Sequence, residues 1–362
     1  MIDKLLDEAI AEGDFPGACY AFGKLGGNHS SGCRGRFTYC PESPETKPNT
    51  LWDLASVSKV VGTTTMAMLL LERGLLKLDQ PVADVLSAFR QKNVTTRNLL
   101  VHDSGFIAFR PYQKTCASRD EVWDAICKEP LSYATGSKTV YSDLNMITLQ
   151  VMLEHLAAQP MDLFLQRNVW EPLQMADTLY NPGIGNPRCA PTDAVEPWRM
   201  NLRTLRKTQV NVADQFPDAA HWIQGEVHDP NALVFGGVAG HAGLFSTTPD
   251  LTRFSHLMLK EGDSLLKPTT IRQFMSKQSD RSSRALGWDT KSPTGSSAGS
   301  RFGPRSYGHT GYTGTSIWID PDASAYAILL TNRVHPTSEN TKIVAFRPKF
   351  HDAVAGELDL PG

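Results

Sequence analysis

The spacing of apolar and polar residues predicts a chain that begins with a helix and a β-hairpin. Residues 1–10 alternate apolar and charged positions at helical spacing, which is typical of an amphipathic helix. Phe15 to Phe22 and Cys33 to Tyr39 are short strand-like runs, and Gly26-Gly27-Asn28 between them predicts the turn of an antiparallel hairpin. From Ser56 to Leu76 apolar residues lie on nearly every helical face, so we expect a helix buried inside the protein.

The middle of the chain is predicted to be mostly helical, and its last part mixes strands with helices. The helical patterns of the middle alternate with loops rich in proline, asparagine and arginine, and they cover 120–127, 147–157 and 162–170. Two β-rich runs follow, at Thr315 to Ile319 and Ala325 to Thr331. A final helix is predicted over 341–357.

Strands near both ends of the chain, with helices between them, indicate an α+β fold built on one main sheet. At 362 residues the chain exceeds the usual length of a single domain, so we expect two structural units. The predicted sheet domain combines 1–80 with 251–362. Residues 81–250 are predicted to form a mostly helical insertion domain.

Composition and charge exclude several classes of protein. Lys and Arg total 36 against 38 Asp and Glu, for a net charge of -2, and no long basic run is present that could follow a phosphate backbone. Nucleic acid is therefore not an expected partner. The longest apolar run, Met66 to Leu71, is far shorter than the ~20 residues that cross a bilayer, so no membrane span is expected.

The amino terminus and the cysteines favour a cytoplasmic protein. Acidic residues interrupt residues 1–10, where a signal peptide needs an unbroken apolar stretch, although a periplasmic location would follow if an upstream signal had been removed. None of the six cysteines forms a Cys-x-x-Cys pair, so no zinc or redox motif is predicted. We expect reduced thiols, while their even number leaves disulfides open. These cysteines are Cys19, Cys33, Cys40, Cys116, Cys127 and Cys189.

Ser56 is the candidate nucleophile, with Lys59 as its activating group. A serine needs a partner that removes its proton, and a lysine three residues later on a helix lies on the same side. Burial disfavours the charged ammonium, which predicts a neutral Lys59 that serves as the base. Ser264 and Lys267 have the same spacing but follow a polar turn, where a serine is usually only a helix cap.

Two further segments carry candidate chemistry. Tyr141-Ser142-Asp143 places a phenol and a carboxylate two residues apart, although a core tyrosine followed by a helix-capping aspartate is the ordinary alternative. His309-Thr310-Gly311-Tyr312 lies directly before a predicted strand. Its glycine permits close backbone approach and an exposed N–H there could bind an oxyanion, whereas a lone histidine is more often a core residue.

Taken together and in this order, the three segments resemble the motifs of the serine β-lactamases and penicillin-binding proteins. The similarity is to the class C-like branch, which includes carboxylesterases and D-amino-acid-specific peptidases. Three further segments resemble sequences of the family. They are 51–55, which directly precedes Ser56, then 99–105 and 236–245. The resemblance implies an antiparallel sheet flanked by helices, with the helical insertion as the second wall of a cleft.

The resemblance also implies roles for individual residues. Ser56 would attack a carbonyl while Lys59 and Tyr141 move its proton, and the backbone N–H groups of Ser56 and Tyr312 would hold the oxyanion. No metal or organic cofactor is implied. The residues expected to line the substrate site are Tyr312, Asp143, His309, Thr310, Gly311 and His241.

The chain departs from the family pattern at two of these positions. Asp143 stands where the family often has Asn, and an ionised carboxylate could pair with Lys59 instead of donating to a substrate amide. His309 stands where the family often has Lys, so it would be a weaker, pH-dependent anchor for a substrate carboxylate. The glycine-rich run 236–243 is expected to fold back near the cleft, with His241 as a lining residue.

Three functions are compatible with these residues. The first is an esterase or amidase acting on small acyl substrates, which the weak carboxylate anchor at His309 favours. The second is a β-lactamase or a D-Ala-D-Ala-type peptidase that uses the same residues. The third is a non-catalytic relative that only binds a ligand, and the joint presence of Ser56, Lys59 and Tyr141 argues against it.

Overall fold

The computed structural model describes residues 1–205 and 221–360, so residues 206–220 of the predicted insertion lie outside the described part. The α-helices are α1 (Ile2–Ala11), α2 (Thr65–Glu72), α3 (Val82–Val85), α4 (Thr96–Leu100), α5 (Arg119–Lys128), α6 (Asp143–Ala157), α7 (Met161–Leu165), α8 (Pro197–Leu205), α9 (Pro230–Val234), α10 (Thr248–Leu259), α11 (Pro268–Met275) and α12 (Ile343–Glu357). Shorter helical turns are 3-10 at Ala55–Val57 and Tyr112–Lys114, and π-helical at Lys59–Thr64 and Gln166–Trp170. The strands are β1 (Gly17–Lys24), β2 (His29–Gly35), β3 (Trp52–Asp53), β4 (Leu179–Tyr180), β5 (Leu244–Ser246), β6 (Asp289–Thr290), β7 (Tyr307–Thr310), β8 (Ser316–Asp320) and β9 (Ala325–Thr331).

The main sheet joins the two ends of the sequence. Among the described residues, six strands pair antiparallel in the order β2-β1-β9-β8-β7-β6, so the amino-terminal hairpin lies beside the carboxy-terminal strands. This confirms the predicted antiparallel sheet flanked by helices. A second, smaller sheet has the order β3-β5-β4 and supports the segment that leads into Ser56.

Both faces of the central strands are covered. In β9, alternate residues such as Ala327 and Leu329 pack with Phe350 of α12, whereas Ile328 and Leu330 face the larger core on the other side. Successive side chains of a strand point to opposite faces, so a strand covered on both sides needs apolar residues at every position. For this reason β9 has no polar alternation, and its position was readily predicted.

The structure corrects several predicted boundaries. The second strand begins at His29, not Cys33, because β2 is an edge strand whose first residues are exposed and polar. Helix α6 already begins at Asp143, where the helical pattern placed its start near Met146. The predicted helix from Ser56 to Leu76 is a 3-10 turn, a π-helical turn and then α2, which ends at Glu72.

The expectation of reduced thiols is wrong for two cysteines. Strands β1 and β2 pair in the register that sets Cys19 opposite Cys33, with Cα atoms 4.1 Å apart, and a disulfide joins them. Both residues lie seven positions from Gly26, the centre of the observed pairing, whereas the predicted turn is centred on Gly27 and would not have set them opposite each other. Because disulfides are typical of oxidising compartments, the cysteines no longer support a cytoplasmic location.

None of the helices in the described ranges is both long enough and apolar enough to span a bilayer.

Candidate active site

A strained turn presents Ser56. Ala55, the preceding residue, has a φ of 46°, a left-handed conformation that is uncommon for residues other than glycine. The buried carboxylate of Asp53 fixes the turn by accepting hydrogen bonds from the N–H groups of Ala55 (2.8 Å) and His228 (2.7 Å). Burial raises the pKa of Asp53, and these two donors only partly offset it. Ser56 itself remains partly accessible at the start of the buried helix.

The ammonium of Lys59 lies at the centre of the site. Its side chain is completely buried, and Nζ donates to Ser56 Oγ (2.9 Å) and to the carbonyl oxygen of His241 (2.8 Å). Nζ also lies 2.8 Å from Oδ1 of Asp143, with which it forms an ion pair. Three acceptors thus surround a group that has three hydrogens when protonated. This is the pairing of Asp143 with Lys59 that the sequence left open.

The predicted neutral state of Lys59 is wrong for this structure. Burial alone would lower its pKa, but the nearby charge of Asp143, together with Tyr141, outweighs burial and raises the pKa above the ordinary 10.5. The sequence argument considered burial without the ion pair. Lys59 is therefore an ammonium at neutral pH, suited to stabilise negative charge on Ser56 Oγ.

Two cations lie close to the ring of Tyr141. Lys59 Nζ and the Cζ atom of Arg284 are each 4.9 Å from the centre of its ring. The backbone is held in place next to it, because Ser142 N–H donates to Nδ1 of His102 (3.1 Å). The phenol oxygen is buried and interacts with the Lys59 ammonium, whose pKa it helps to raise.

Two uncharged histidines complete the surroundings of Tyr141. The ring centres of His102 and His309 lie 4.7 and 5.8 Å from that of Tyr141. Burial, reinforced by the positive charge of Arg284, holds the pKa of each histidine well below its usual value. His309 therefore carries no charge at neutral pH, which makes it a poorer carboxylate anchor than the sequence alone suggested.

The segment 310–315, which carries the candidate oxyanion donor Tyr312, packs tightly against the turn that precedes Ser56. Hydroxyls of Thr313 and Thr315 donate to the carbonyls of Asp53 (2.7 Å) and Leu54 (2.9 Å). At Gly311 an added Cβ would lie only 2.4 Å from the Leu54 carbonyl oxygen, so this approach requires glycine.

Two arginines bind backbone carbonyls of the segment 310–315. Arg347 donates to the carbonyl of Gly311 (2.5 Å), and Arg333 donates to that of Tyr312 (2.7 Å). Across the described residues, neither Ser56 N–H nor Tyr312 N–H donates to a backbone or side-chain acceptor. Both N–H groups are therefore candidate donors to an oxyanion.

The glycine-rich run 236–243 lies against the catalytic helix. Thr63 Oγ1 donates to the carbonyl of Gly240 (2.7 Å), and the side chain of Gln150 accepts from the N–H of Gly240 (2.7 Å). The run thereby places the His241 carbonyl oxygen within hydrogen-bond distance of Lys59 Nζ. The His241 side chain is buried, and its Nε2 lies 2.8 Å from Oδ1 of Asp229.

One group of side chains has donors suited to a metal ion. Ligand atoms of Asp143, Asp229 and His241 all lie within 4.8 Å of one another. The Lys59 ammonium, however, already pairs with Asp143 in the same place. A divalent cation would have to displace it against charge repulsion, so the cluster is better described as the charge partner of Lys59.

The alternative serine at 264 lacks these surroundings. Ser264 and Lys267 are both exposed, and no hydrogen bond joins their side chains within the described ranges. Of the residues that sequence reasoning missed, His102 lay in the family-like text at 99–105, which could have identified it. Arg284 lies in a loop with no motif, and Asp229 precedes the glycine-rich run without one.

Comparisons with known proteins match almost the whole chain. The sequence profile of the β-lactamase family matches residues 2–346. An N-acetylmuramyl-L-alanine amidase of Bacillus subtilis (strain 168) is 31% identical over 370 residues, covering 92% of this chain and 80% of the relative.

Solved structures share the fold at low sequence identity. One is EstCE1, a hydrolase with promiscuous acyltransferase activity (TM-score 0.76, 18% identity, 98% of this chain and 97% of that chain). Another is the octameric penicillin-binding protein homologue from Pyrococcus abyssi (TM-score 0.75, 17% identity, 99% and 77%). With a profile match along almost its whole length, the chain belongs to the β-lactamase family, and it has the fold of that family's hydrolases.

Proposed function

We propose that the protein is a serine hydrolase that forms an acyl-enzyme on Ser56 and hydrolyses small carboxylic amides or esters. The observation that carries the proposal is the 2.9 Å hydrogen bond from the buried Lys59 ammonium to Ser56 Oγ. A buried cation on a hydroxyl oxygen stabilises the negative charge that develops there during attack.

The proposed chemistry has two steps. Ser56 Oγ bonds to the carbonyl carbon, and the bond from that carbon to the leaving nitrogen or oxygen breaks. The Tyr141 phenol relays the proton: it accepts that of Ser56 and donates its own to the leaving group. Water then attacks the acyl carbon, and the bond from that carbon to Ser56 Oγ breaks. Tyr141 accepts a proton from the water and donates its own to Oγ, so that Ser56 and the free acid are released. Throughout both steps the N–H groups of Ser56 and Tyr312 hold the carbonyl oxygen.

We include amides with esters as candidate substrates because of one relative of this chain. The Bacillus subtilis relative is named for an amide-cleaving activity, and it covers most of this chain. A β-lactamase or D-Ala-D-Ala-type peptidase that uses the same residues is the second candidate. The uncharged state of His309 disfavours this second function. Arg284, which is a second cation in the site, favours it.

Intact-mass spectrometry tests the proposal. The protein is exposed to activated esters and to β-lactams, and the mass gained per molecule is recorded. We expect one acyl group on the wild type and none on Ser56→Ala, while Ser264→Ala, the matched serine, is acylated normally. Acylation of the Ser56→Ala variant at the wild-type rate would disprove the assignment of the nucleophile.

A further inference from the structure

The side chain of Tyr312 is an exposed aromatic ring on the segment next to the nucleophile. Its exposed fraction is 55%, whereas Tyr307 of β7 and Tyr326 of β9 are buried. The N–H of Tyr312 is a candidate oxyanion donor, and the oxyanion is bonded to the carbon that Ser56 attacks. The ring therefore belongs to a residue that lies against the reacting carbonyl, and the proposed chemistry gives the ring no role.

The ring of Tyr312 is held in place although it is exposed. The Cζ atom of Arg333 lies 4.3 Å from the ring centre, and Nε of Arg333 donates to the Tyr312 carbonyl (2.7 Å). Arg333 is itself only 5% exposed, and it donates to the carbonyls of Ser338 (2.8 Å) and Asn340 (2.6 Å). Because a fixed cation lies on the ring, less conformational freedom remains to be lost when a ligand binds there.

His228 connects the ring to the nucleophile turn. The rings of His228 and Tyr312 lie at an angle of 27°, with their centres 5.7 Å apart. The N–H of His228 donates to one oxygen of Asp53 (2.7 Å), and the other oxygen accepts from the N–H of Ala55 (2.8 Å). One carboxylate thus holds both the turn that presents Ser56 and the neighbour of the Tyr312 ring. The fold therefore fixes the ring relative to the nucleophile, as a substrate-binding surface requires.

The neighbours of Tyr141 and Tyr312 indicate which part of a substrate each would contact. Tyr141 is the proposed proton donor to the leaving group, so the leaving group lies against its phenol. The side chains that contact the Tyr141 ring are Lys59, His102, Arg284 and His309. The ring of Tyr312 contacts His228 and Arg333, so the two sets have no member in common. The Tyr312 ring is therefore assigned to the other side of the carbonyl, where the acyl group lies.

An exposed ring at this position favours one shape of acyl group. A ring stacked on tyrosine removes a large apolar area from water, and ring stacking adds an attraction that a linear chain lacks. A linear chain also loses rotational freedom at each bond when it is ordered on the surface. Both effects favour a ring over a chain with the same number of carbon atoms.

We propose that the acyl group stacks on the side chain of Tyr312, so that the protein prefers acyl donors with a ring close to the reacting carbonyl over linear ones. This rests on the proposed function, since it assigns a substrate class to the same site. Aromatic acids and acids with a saturated ring share this chemistry. Tyr312 is then a specificity-determining residue through its side chain, in addition to the expected role of its N–H.

Four para-nitrophenyl esters test the proposal, and the absorbance of the released nitrophenolate gives the rate. Phenylacetate, cyclohexylacetate and octanoate have the same number of acyl carbons, in an aromatic ring, a saturated ring and a linear chain, and acetate is the small reference. We expect the wild type to prefer the ring esters to octanoate after each rate is divided by that of alkaline hydrolysis. In Tyr312→Ala the ratio of kcat/KM on the ring esters to that on acetate should fall about 10-fold, and the ratio for octanoate less than about 3-fold.

The ratio to acetate cancels any effect of the substitution on the oxyanion N–H, because all four esters share that contact. Tyr312→Phe keeps the ring and should keep the preference. Tyr39→Ala removes a tyrosine of similar exposure, 45%, outside the motifs and should change no ratio. A fall confined to phenylacetate or to cyclohexylacetate would support the proposal and identify the preferred kind of ring.

Two results would overturn the inference. One is an unchanged ratio in Tyr312→Ala, and the other is an equal fall for the ring esters and octanoate, which would mean that the side chain only adds apolar surface. Failure of the proposed function has a different signature. In that case Ser56→Ala would hydrolyse acetate and the ring esters as fast as the wild type.

Discussion

The ion pair between Lys59 and Asp143 gives the site its most direct test, because one substitution removes the carboxylate with little change in shape. In the wild type, Lys59 Nζ lies 2.8 Å from Oδ1 of Asp143. Asp143→Asn keeps a carbonyl oxygen that can still accept a hydrogen bond from Lys59 Nζ. What it removes is the negative charge. That charge raises the pKa of Lys59 against the opposing effect of complete burial.

The size of the effect follows from the geometry. An opposite charge in direct contact stabilises the ammonium, so the pKa of Lys59 should fall in Asp143→Asn, and each unit of pKa corresponds to about 1.4 kcal/mol. If catalysis requires the ammonium, activity is lost as pH rises through that pKa. The wild type, with Lys59 above the ordinary 10.5, should keep its kcat/KM up to about pH 10, whereas the variant should lose it at lower pH.

The measurement is kcat/KM for an activated ester from pH 6 to about pH 10.5, with circular dichroism at each pH to show that the variant is folded. Asp103→Asn is the matched control, since Asp103 is partly buried but makes its side-chain hydrogen bond to Asn98. If Asp143→Asn loses activity at the same alkaline pH as the wild type, catalysis does not require the ammonium of Lys59. A variant that instead gains activity on the acidic side would make neutral Lys59 the base.

Two further predictions concern the oxyanion segment and stability. Gly311→Ala should lower kcat by about 10²- to 10³-fold, as for loss of one oxyanion donor, because its Cβ would lie 2.4 Å from the Leu54 carbonyl oxygen. Gly308→Ala is the control: Gly308 lies in β7, before Gly311, and its Cβ would clash with the Ile317 carbonyl oxygen, so this variant should lower the melting temperature but keep the activity of the folded fraction. The free energy of unfolding should fall as pH drops below about 6.5, by about 1.4 kcal/mol per pH unit for each buried neutral histidine, since the unfolded chain binds protons that the folded one resists. Burial lowers the pKa of His351 to about 3, so His351→Gln should make this fall shallower in urea titrations at pH 7, 6 and 5, and an unchanged slope would contradict the assignment.

The parts of the fold that could be predicted from sequence are those that depend on local patterns. The uninterrupted apolar run of β9 located a strand covered on both faces, and the serine and lysine three residues apart located the catalytic helix. The beginning of β2 could not be found in this way, because polar residues at a sheet edge have no pattern that distinguishes them from a loop.

The chemistry of the site was harder to predict because protonation depends on neighbours that are distant in sequence. Burial of Lys59 was readable from the apolar helix around it, but its charge state is set by Asp143, which the chain brings back from another helix. Arg284 has no motif at all, and only the packing of its loop against Tyr141 makes it part of the site.

The two departures from the family pattern have a common electrostatic explanation. An ammonium at position 309 would be a third buried cation near Lys59 and Arg284, whose charges already depress the pKa of His309. A histidine avoids this repulsion because it can remain neutral. Arg284 keeps a positive charge near the Tyr141 ring, and Asp143 compensates that of Lys59. The departures at 143 and 309 are therefore best understood together, because both change the charges around Tyr141.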